Sequence, residues 1–381
     1  MSPYPIAIIG GGPGGLTLAR LLQQQGHKVT VFEADASPLV RGQGGSLDLH
    51  QESAQLALSK AGLTAAFLAV ARFDGQAMRV ADKHGTLLWD ESVVSGKQDR
   101  PEVDRSELRQ LLLDSLPSGT VWWGHKLKTA KPLASGGHLL QFESGQQATA
   151  ELVVGADGAW SRLRPLLTDV QPGYSGVSFV ELGLPDAAER TPRLAALVGQ
   201  GKLMALQDDK GLIAQYNGDG RIRVYVALRV AEGWLAEQGL AEATPAQART
   251  LLLAQFADWA PELRALIECS EDHMVPRPLY TLPIDHRWAG QPGITLLGDA
   301  AHLMSPFAGE GVNIAMLDAL KLAEALQAEP DQASALARYE ADLFERAQAA
   351  AQMSAYGMET CLAPDGAVRL KAMMEGFAAQ T

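Results

Sequence analysis

The stretch Gly10-Gly-Gly12-Pro-Gly-Gly15 constrains this chain more than any other feature. It fits G-x-G-x-x-G, and its flanks give the pattern its weight. Pro5–Ile9 is a short apolar run suited to a buried parallel strand. Leu16, Leu18, Ala19, Leu21 and Leu22 make a helical stripe that ends near Gly26, a plausible C′ residue. Val29–Phe32 reads as a second strand closed by Glu33. Such a βαβ unit binds a dinucleotide. Gly10 permits the tight turn, Gly12 lets the backbone approach a pyrophosphate, and Gly15 lets the helix pack on the strand. The helix N-terminus adds free N–H groups and about half a positive charge. Glu33 is the candidate partner of a ribose hydroxyl. The motif alone leaves FAD and NAD(P) open.

Two later segments favour FAD. Gly155-Ala-Asp157-Gly158-Ala-Trp-Ser161-Arg-Leu-Arg164 ends a strand in an acid–glycine turn. Gly298-Asp299-Ala-Ala-His302 ends another, and Ser305-Pro306-Phe-Ala-Gly309-Glu-Gly311-Val-Asn313 then opens a helix. Three strand ends of this kind converge at one sheet edge, where α/β folds bind ligands. Asp299 is the candidate acceptor for a ribityl hydroxyl. The N–H groups near Gly309–Asn313 suit the pyrimidine edge of a flavin, where negative charge develops on reduction. His302 is expected to pack rather than to act as an acid or base. Residues 101–116 read as an amphipathic helix with an Asp104/Glu107 capping box, a buried Leu108, Leu111, Leu112 and Leu116 stripe, and Arg105 and Arg109 together on the opposite face.

The texture changes between 174 and 283. Ile222, Val224, Val226 and Leu228 alternate with Arg221, Arg223, Tyr225 and Ala227, which indicates a half-buried antiparallel strand. Helices are expected at 245–257, 261–268, Gly311–Leu326 and 331–356, and a buried strand at Gly293–Leu297.

Composition narrows the function. With 32 Lys+Arg against 44 Asp+Glu, the net charge is −12, which argues against a general nucleic-acid or anionic-membrane binder. An anionic ligand must therefore meet a local group of cations or N–H donors. Cys269 and Cys361 cannot build a disulfide framework or a zinc site. The eight histidines show no H-x-x-H or H-E-x-x-H spacing, and no G-x-S-x-G elbow follows a strand, so neither a metal nor a serine nucleophile is expected. No signal peptide or membrane-spanning run is read, so the expected location is cytoplasmic; the acidic charge is compatible with a monomer, which is the expected state. Trp122, Trp123 and Tyr216 read as core or sheet residues, and Trp160 as a candidate shield in the acid–glycine loop.

In this order the three segments resemble the class A flavoprotein aromatic hydroxylases, the para-hydroxybenzoate hydroxylase family. Within it the chain most resembles the TetX-type tetracycline-inactivating monooxygenases. Ala7-Ile-Ile-Gly-Gly-Gly-Pro, Leu21-Leu-Gln-Gln, Gly44-Gly45-Ser-Leu-Asp48-Leu-His50, and Gly298-Asp-Ala-Ala-His-Leu-Met through Phe307–Asn313 carry the resemblance. It implies an α/β fold: a Rossmann-like FAD-binding domain, an inserted substrate domain on an antiparallel sheet, and C-terminal helices. The expected boundaries are 1–72, 98–170 and 284–325 for the FAD domain, 73–97 and 171–283 for the substrate domain, and 326–381 for a helical segment bracing both. It also implies a cycle. NADPH reduces non-covalently bound FAD, O2 adds to give the flavin C4a-hydroperoxide, and one oxygen passes to an aromatic or polycyclic phenol or enol.

Carried over by position, Gly12, Gly14 and Glu33 would hold the ADP half of FAD. Arg41 and Asp48 fall near the flavin and the NADPH entrance. Arg105 and Arg109 would meet the phosphate or ribityl region, and Asp157 and Arg164 match the motif tied to FAD and NADPH. Asp299, Pro306, Gly309 and Gly311 would flank the isoalloxazine, and Asn313 is a further candidate for cofactor binding. The chain also departs from the pattern. Ala34 stands where some relatives carry Arg, and Asp157-Gly158 where the TetX type carries Asn-Gly. Phe179, Lys202 and Arg223 fall where tetracycline-binding relatives place Gln, Arg and His. An aromatic ring cannot replace an amide's hydrogen bonds, and Lys lacks the guanidinium fork. Lys202 and Arg223 would make a cationic chamber suited to an anionic or enolate substrate. The alternatives are a reductase on the same fold that inserts no oxygen, a hydroxylase of a different phenol or polyketide, and a protein that only sequesters its ligand.

Overall fold

The computed structural model describes residues 4–38, 45–91, 100–240 and 242–378. The chain forms two compact units. Met1–Ala71, Arg105–Gly173 and Tyr280–Ser354 make the first; Arg72–Asp104, Tyr174–Leu279 and Ala355–Thr381 make the second.

The first unit is built on a sheet whose central strands are β1 (Tyr4–Ile9), β2 (Val29–Phe32), β3 (Gln147–Gly155) and β4 (Ile294–Leu296). These four run parallel, in the order β2-β1-β3-β4. Their apolar runs are buried on both faces, as parallel strands under helices require: Ile6, Ala7, Ile8, Val31, Val153, Val154 and Leu296 are inaccessible or nearly so. The start of β3 pairs antiparallel with His138–Phe142, which in turn pairs with Leu127–Pro132, a strand not read from the sequence. Three helices position the strand-end turns: α1 (Pro13–Gln24), α2 (Arg105–Asp114) and α3 (Gly311–Ala328). Pro13 occupies N1 of α1, where its missing N–H costs nothing, and the stripe from Leu16 to Leu22 is buried. A methyl group on Gly14 would lie 2.9 Å from the Ala315 carbonyl, so the small residue sets how closely α1 approaches α3.

The second unit carries a seven-stranded sheet in the order Val275–Thr281, Gly173–Leu184, Ile222–Arg229, Lys210–Tyr216, Lys202–Gln207, Met78–Ala81, Leu87–Glu91. Ile222, Val224, Val226 and Leu228 face its core with Leu182, Leu212, Phe256 and Leu263. The alternation in the sequence has this physical basis. Helices Pro245–Gln255 and Pro261–Glu268 cover that face, the first opened by a Thr244/Gln247 capping box.

Over residues 101–116 the structure corrects the sequence expectation three times. Glu102–Asp104 is a strand, and the helix begins at Arg105. Asp104 does not cap it: its carboxylate accepts hydrogen bonds from the Gly218 N–H and from Arg72, each at 3.2 Å. Nor do Arg105 and Arg109 share a solvent face, since Arg109 is buried and Arg105 exposed.

Candidate active site

Strand register places the candidate turns together. Phe32, Ile9, Gly155 and Leu296 form one row across β2, β1, β3 and β4. Each strand therefore releases its chain at the same edge. Backbone bonds tie the exits to one another: Gly10 N–H to the Phe32 carbonyl at 2.9 Å, Ala156 N–H to Ile9 at 2.8 Å, and Leu297 N–H to Gly155 at 2.9 Å.

At the first exit, Gly10 adopts φ +110°, and a Cβ there would sit 2.2 Å from the Ala156 carbonyl oxygen. Only glycine fits this turn. Gly15 is equally confined, 2.2 Å from the Gly10 carbonyl by the same construction. Gly12 differs, because a Cβ there would meet nothing within 4 Å. It is the N-cap of α1, with no side chain capping the first turn. That arrangement leaves open space facing helix N–H groups without intrahelical partners.

Glu33 is buried beneath this turn. One carboxylate oxygen accepts the Gly11 N–H at 2.5 Å and the other the Asp35 N–H at 2.9 Å. Arg109 locks the same loop from below. It donates to the carbonyls of Gly11 and Pro38, pairs with the buried Asp35 at 3.4 Å, and lies over the Trp123 ring. The guanidinium is thus committed to protein atoms, and Asp35 is a structural partner that sequence reasoning missed. Arg105, one turn earlier on α2, remains exposed and has no side-chain partner among the described residues.

The second and third exits are stitched by Arg164. Its buried guanidinium donates to the carbonyls of Ala300 at 2.8 Å, Ala159 at 2.8 Å and Asp299 at 3.0 Å. Asp157 accepts the Arg162 N–H at 2.7 Å through one oxygen, while its other oxygen is buried without a partner among the described residues. Burial pushes its carboxyl above the usual range, with Ser161, the Arg162 amide and Arg164 opposing. Asp299 itself is exposed, although Ala300, Ala301 and His302 after it are buried. The enclosing protein still pushes its carboxyl upward, against the charges of His302, Arg105 and Arg164. The Asp299 carboxylate makes no hydrogen bond among the described residues and stays open to solvent.

Pro306 opens a short 3-10 turn ending at Gly309, φ +69°, whose added Cβ would stand 3.1 Å from the Asp48 carboxylate. Gly311 starts α3 beside it. Asn313 is fully buried and saturated: it accepts from the His50 N–H and Ser53 and donates to the carbonyls of Asp48 and Gly309. Its side chain is thereby committed to holding Asp48 against the α3 entry. His50 lies 3.5 Å from Asp48 and 3.4 Å from Glu310. Arg41 and Gly44 fall outside the described residues. A cavity of about 850 Å3 lined by Phe32, Trp122, His125 and Phe142 includes none of these turn residues. Trp160 is exposed, edge-on to Tyr280.

In the second unit, Lys202, Gln215 and Arg223 lie opposite one another on adjacent strands, and Phe179 shares their face by the even count along its strand. Phe179 packs against Tyr225 at 5.6 Å between ring centroids. The cationic chamber expected from Lys202 and Arg223 is not what the structure holds. Arg223 is ion-paired with the buried Glu181, which also holds Arg277, and Lys202 stands 3.9 Å from the buried Glu102. Each candidate cation on this face therefore has a carboxylate beside it. Among the described residues there is no group of side chains that could hold a metal ion. No helix among them is long and apolar enough to cross a membrane.

The chain matches the FAD binding domain family over residues 3–354. It belongs to that family. Monooxygenase asqM of Emericella nidulans is 34% identical over 410 residues, spanning 93% of this chain and 92% of that one. The protein is accordingly an FAD-dependent monooxygenase. Klebsiella pneumoniae HpxO complexed with FAD and uric acid superposes with a TM-score of 0.80 at 22% identity, over 99% of this chain and 93% of that one. Tetracycline destructase Tet(55) gives 0.75 at 20%, over 98% and 95%. At these identities both structures speak for the fold alone. The residues present fit FAD: an open glycine cradle at a helix N-terminus, an exposed Asp299 and an unpartnered Asp157 oxygen supply groups that the described fold leaves unused.

Proposed function

We propose that this monooxygenase hydroxylates an aromatic or polycyclic phenol or enol, with NADPH as reductant and O2 as co-substrate, and that tetracyclines fall within its range. Gly12, Gly14 and Glu33 would hold the ADP half of FAD, and Arg105 the phosphate or ribityl region. Asp299 would accept from a ribityl hydroxyl, with Asp48, Pro306, Gly309 and Gly311 beside the ring system. Asp157 would complete the site from the acid–glycine turn. Arg109, Arg164 and Asn313 would act at one remove, by holding the backbone that makes these contacts. When bound, FAD supplies hydride acceptance and oxygen activation; the chain supplies position and a fixed electrostatic environment. In the net reaction one oxygen atom of O2 enters the substrate and the other leaves as water, with NADPH oxidised.

The observation that carries the reading is the exposed Asp299 on its buried turn, which follows a strand ending at the same sheet edge as the glycine cradle. Phe179, Lys202 and Arg223 are proposed to contact substrate. Their carboxylate partners favour a neutral or weakly acidic ring system over a strong anion. The test is aerobic NADPH oxidation by the purified protein with and without tetracycline, followed by product mass. Stimulated oxidation with a gain of one oxygen supports the whole reading. Bound flavin without stimulation removes tetracycline and sends the search to other phenols and polyketides.

A further inference from the structure

An acid inside an apolar helical run needs a reason, because a buried unpaired carboxylate is strongly unfavourable. Asp318 on α3 is such a residue, fully buried among Met316, Ala319 and Leu320. Its partners explain it. One oxygen accepts the Gly298 N–H at 3.0 Å and the His302 Nε2–H at 2.6 Å; the other accepts from Arg346 at 2.7 Å. Gly298 and His302 are the two ends of one helical turn, closed internally by Ala301 and His302 N–H bonds to the Gly298 carbonyl at 2.8 and 2.9 Å. Asp299 sits between those ends. A single carboxylate therefore grips both sides of the turn that presents Asp299.

We propose that Asp318, with His302 and Arg346, is a positioning device that fixes the Gly298–His302 turn and so aims the Asp299 carboxylate at its ligand. This rests on the reading of Asp299 as an FAD contact. His302 thereby acquires a function that packing alone does not give it. Gly298 takes part through its conformation, φ +59° with its Cβ position 3.0 Å from Ala315, so the turn cannot easily be rebuilt around another residue. The charges around the device are consistent with it. The charges of His302, Arg105 and Arg164 act on the Asp299 carboxyl, against its burial. His286, bonded to the Ala301 carbonyl at 2.8 Å, stands on the other side of the turn. Tyr339 and Asp342 of the following helix flank Asp318 and Arg346. Asp318 outweighs burial at His302 and holds the imidazole above its usual range, while His302 and Arg346 hold the Asp318 carboxyl below its own.

The test is a double-mutant cycle on FAD affinity, measured by titrating apoprotein with FAD and following flavin fluorescence. Asp318→Asn keeps the shape and one acceptor but removes the charge. It is expected to weaken FAD binding about tenfold, the effect of one charged hydrogen bond. In an Asp299→Ala background the same substitution should change affinity less than about twofold, because it has nothing left to aim. Equal losses in both backgrounds would overturn the proposal and make Asp318 a packing residue. Asp299→Ala alone separates the premise: wild-type FAD affinity in that variant defeats the Asp299 reading, whatever Asp318 does. Should Asp318→Asn not fold, His302→Gln keeps a donor toward Asp318 and removes a charge that favours ionised Asp299. The acid limb of its FAD-binding pH profile should then move to higher pH. Wild-type affinity at every pH, with that limb unmoved, would refute the positioning role.

Discussion

Arg164→Met is the perturbation that most directly tests how the site is assembled. The guanidinium is 1% exposed and makes three hydrogen bonds to backbone carbonyls, two of them on the turn that carries Asp299 and one on the acid–glycine turn. Methionine retains much of the apolar stem, so the cavity term is small and the loss is mainly polar. Each charged hydrogen bond contributes roughly 1.5–3 kcal/mol, and three from one group do not add fully, so about 3–5 kcal/mol is expected. At about 2–4 °C per kcal/mol for a unit of this size, the melting temperature should fall by about 6–20 °C. Differential scanning calorimetry on protein stripped of flavin measures this directly. Arg164→Lys should recover only part of the loss, because one ammonium cannot span three carbonyls held in a fork. If the Met variant melts within about 2 °C of wild type, the two turns are held by something other than this guanidinium, and its assignment as the stitch between them is wrong.

Two glycine variants should separate fold from ligand. Gly10→Ala forces a Cβ to 2.2 Å from a backbone oxygen at φ +110° and should cost at least about 2–4 kcal/mol in a thermal melt. Gly12→Ala meets nothing and should leave stability within about 0.5 kcal/mol while reducing FAD affinity about tenfold; full FAD affinity would place the pyrophosphate elsewhere. The pH dependence of stability has two expected limbs. His302 is raised from 6.5, so its contribution is complete below 6.5 and is lost as pH rises through the folded value; Asp318 is lowered from 3.8, so its contribution is present above 3.8 and is lost as pH falls through the folded value. In melts of His302→Gln the upper limb should vanish, and its persistence would assign that limb to another group. In the second unit, Glu181→Gln strips charge from a buried partner of two arginines and should cost about 1–3 kcal/mol, whereas Arg277→Gln, at 53% exposure, should cost less than about 1 kcal/mol.

The glycine fingerprint, its two strands and the terminal acid were legible because each rests on a local rule: burial on both faces, a turn only glycine can make, a helix start. The register row that aligns Phe32, Ile9, Gly155 and Leu296 was likewise implied by three similar strand exits. What local reading missed was how the polar residues of those exits are divided between ligand and scaffold. Arg105 and Arg109 are four apart on one helix and look equivalent in sequence, yet one is exposed and the other is spent on Asp35 and two carbonyls. The difference lies in Asp35 and Trp123, partners 74 and 14 residues away in the chain, and no periodicity encodes them. Asp104 was misread for the same reason: its partners Arg72 and Gly218 lie far off in sequence.

That division also explains why a motif with many acids and arginines leaves few of them for chemistry. Arg164, Asn313 and Asp318 use their hydrogen-bonding capacity to immobilise backbone, and Arg223 and Lys202 sit beside carboxylates. Among the described residues, the groups that the fold leaves over include Asp299, Arg105, one oxygen of Asp157 and the amides at Gly12. A flexible cofactor needs its contacts held to within a fraction of an ångström, and exposed side chains on loops do not hold themselves. The buried residues therefore carry the precision and the exposed ones the contact. Substitutions in the first group should change affinity together with melting temperature, and those in the second should change affinity alone. Paired flavin titrations and melts across Arg164, Asp318, Asp299 and Arg105 would resolve the two classes, and a buried-class variant with normal stability and weak FAD binding would break the distinction.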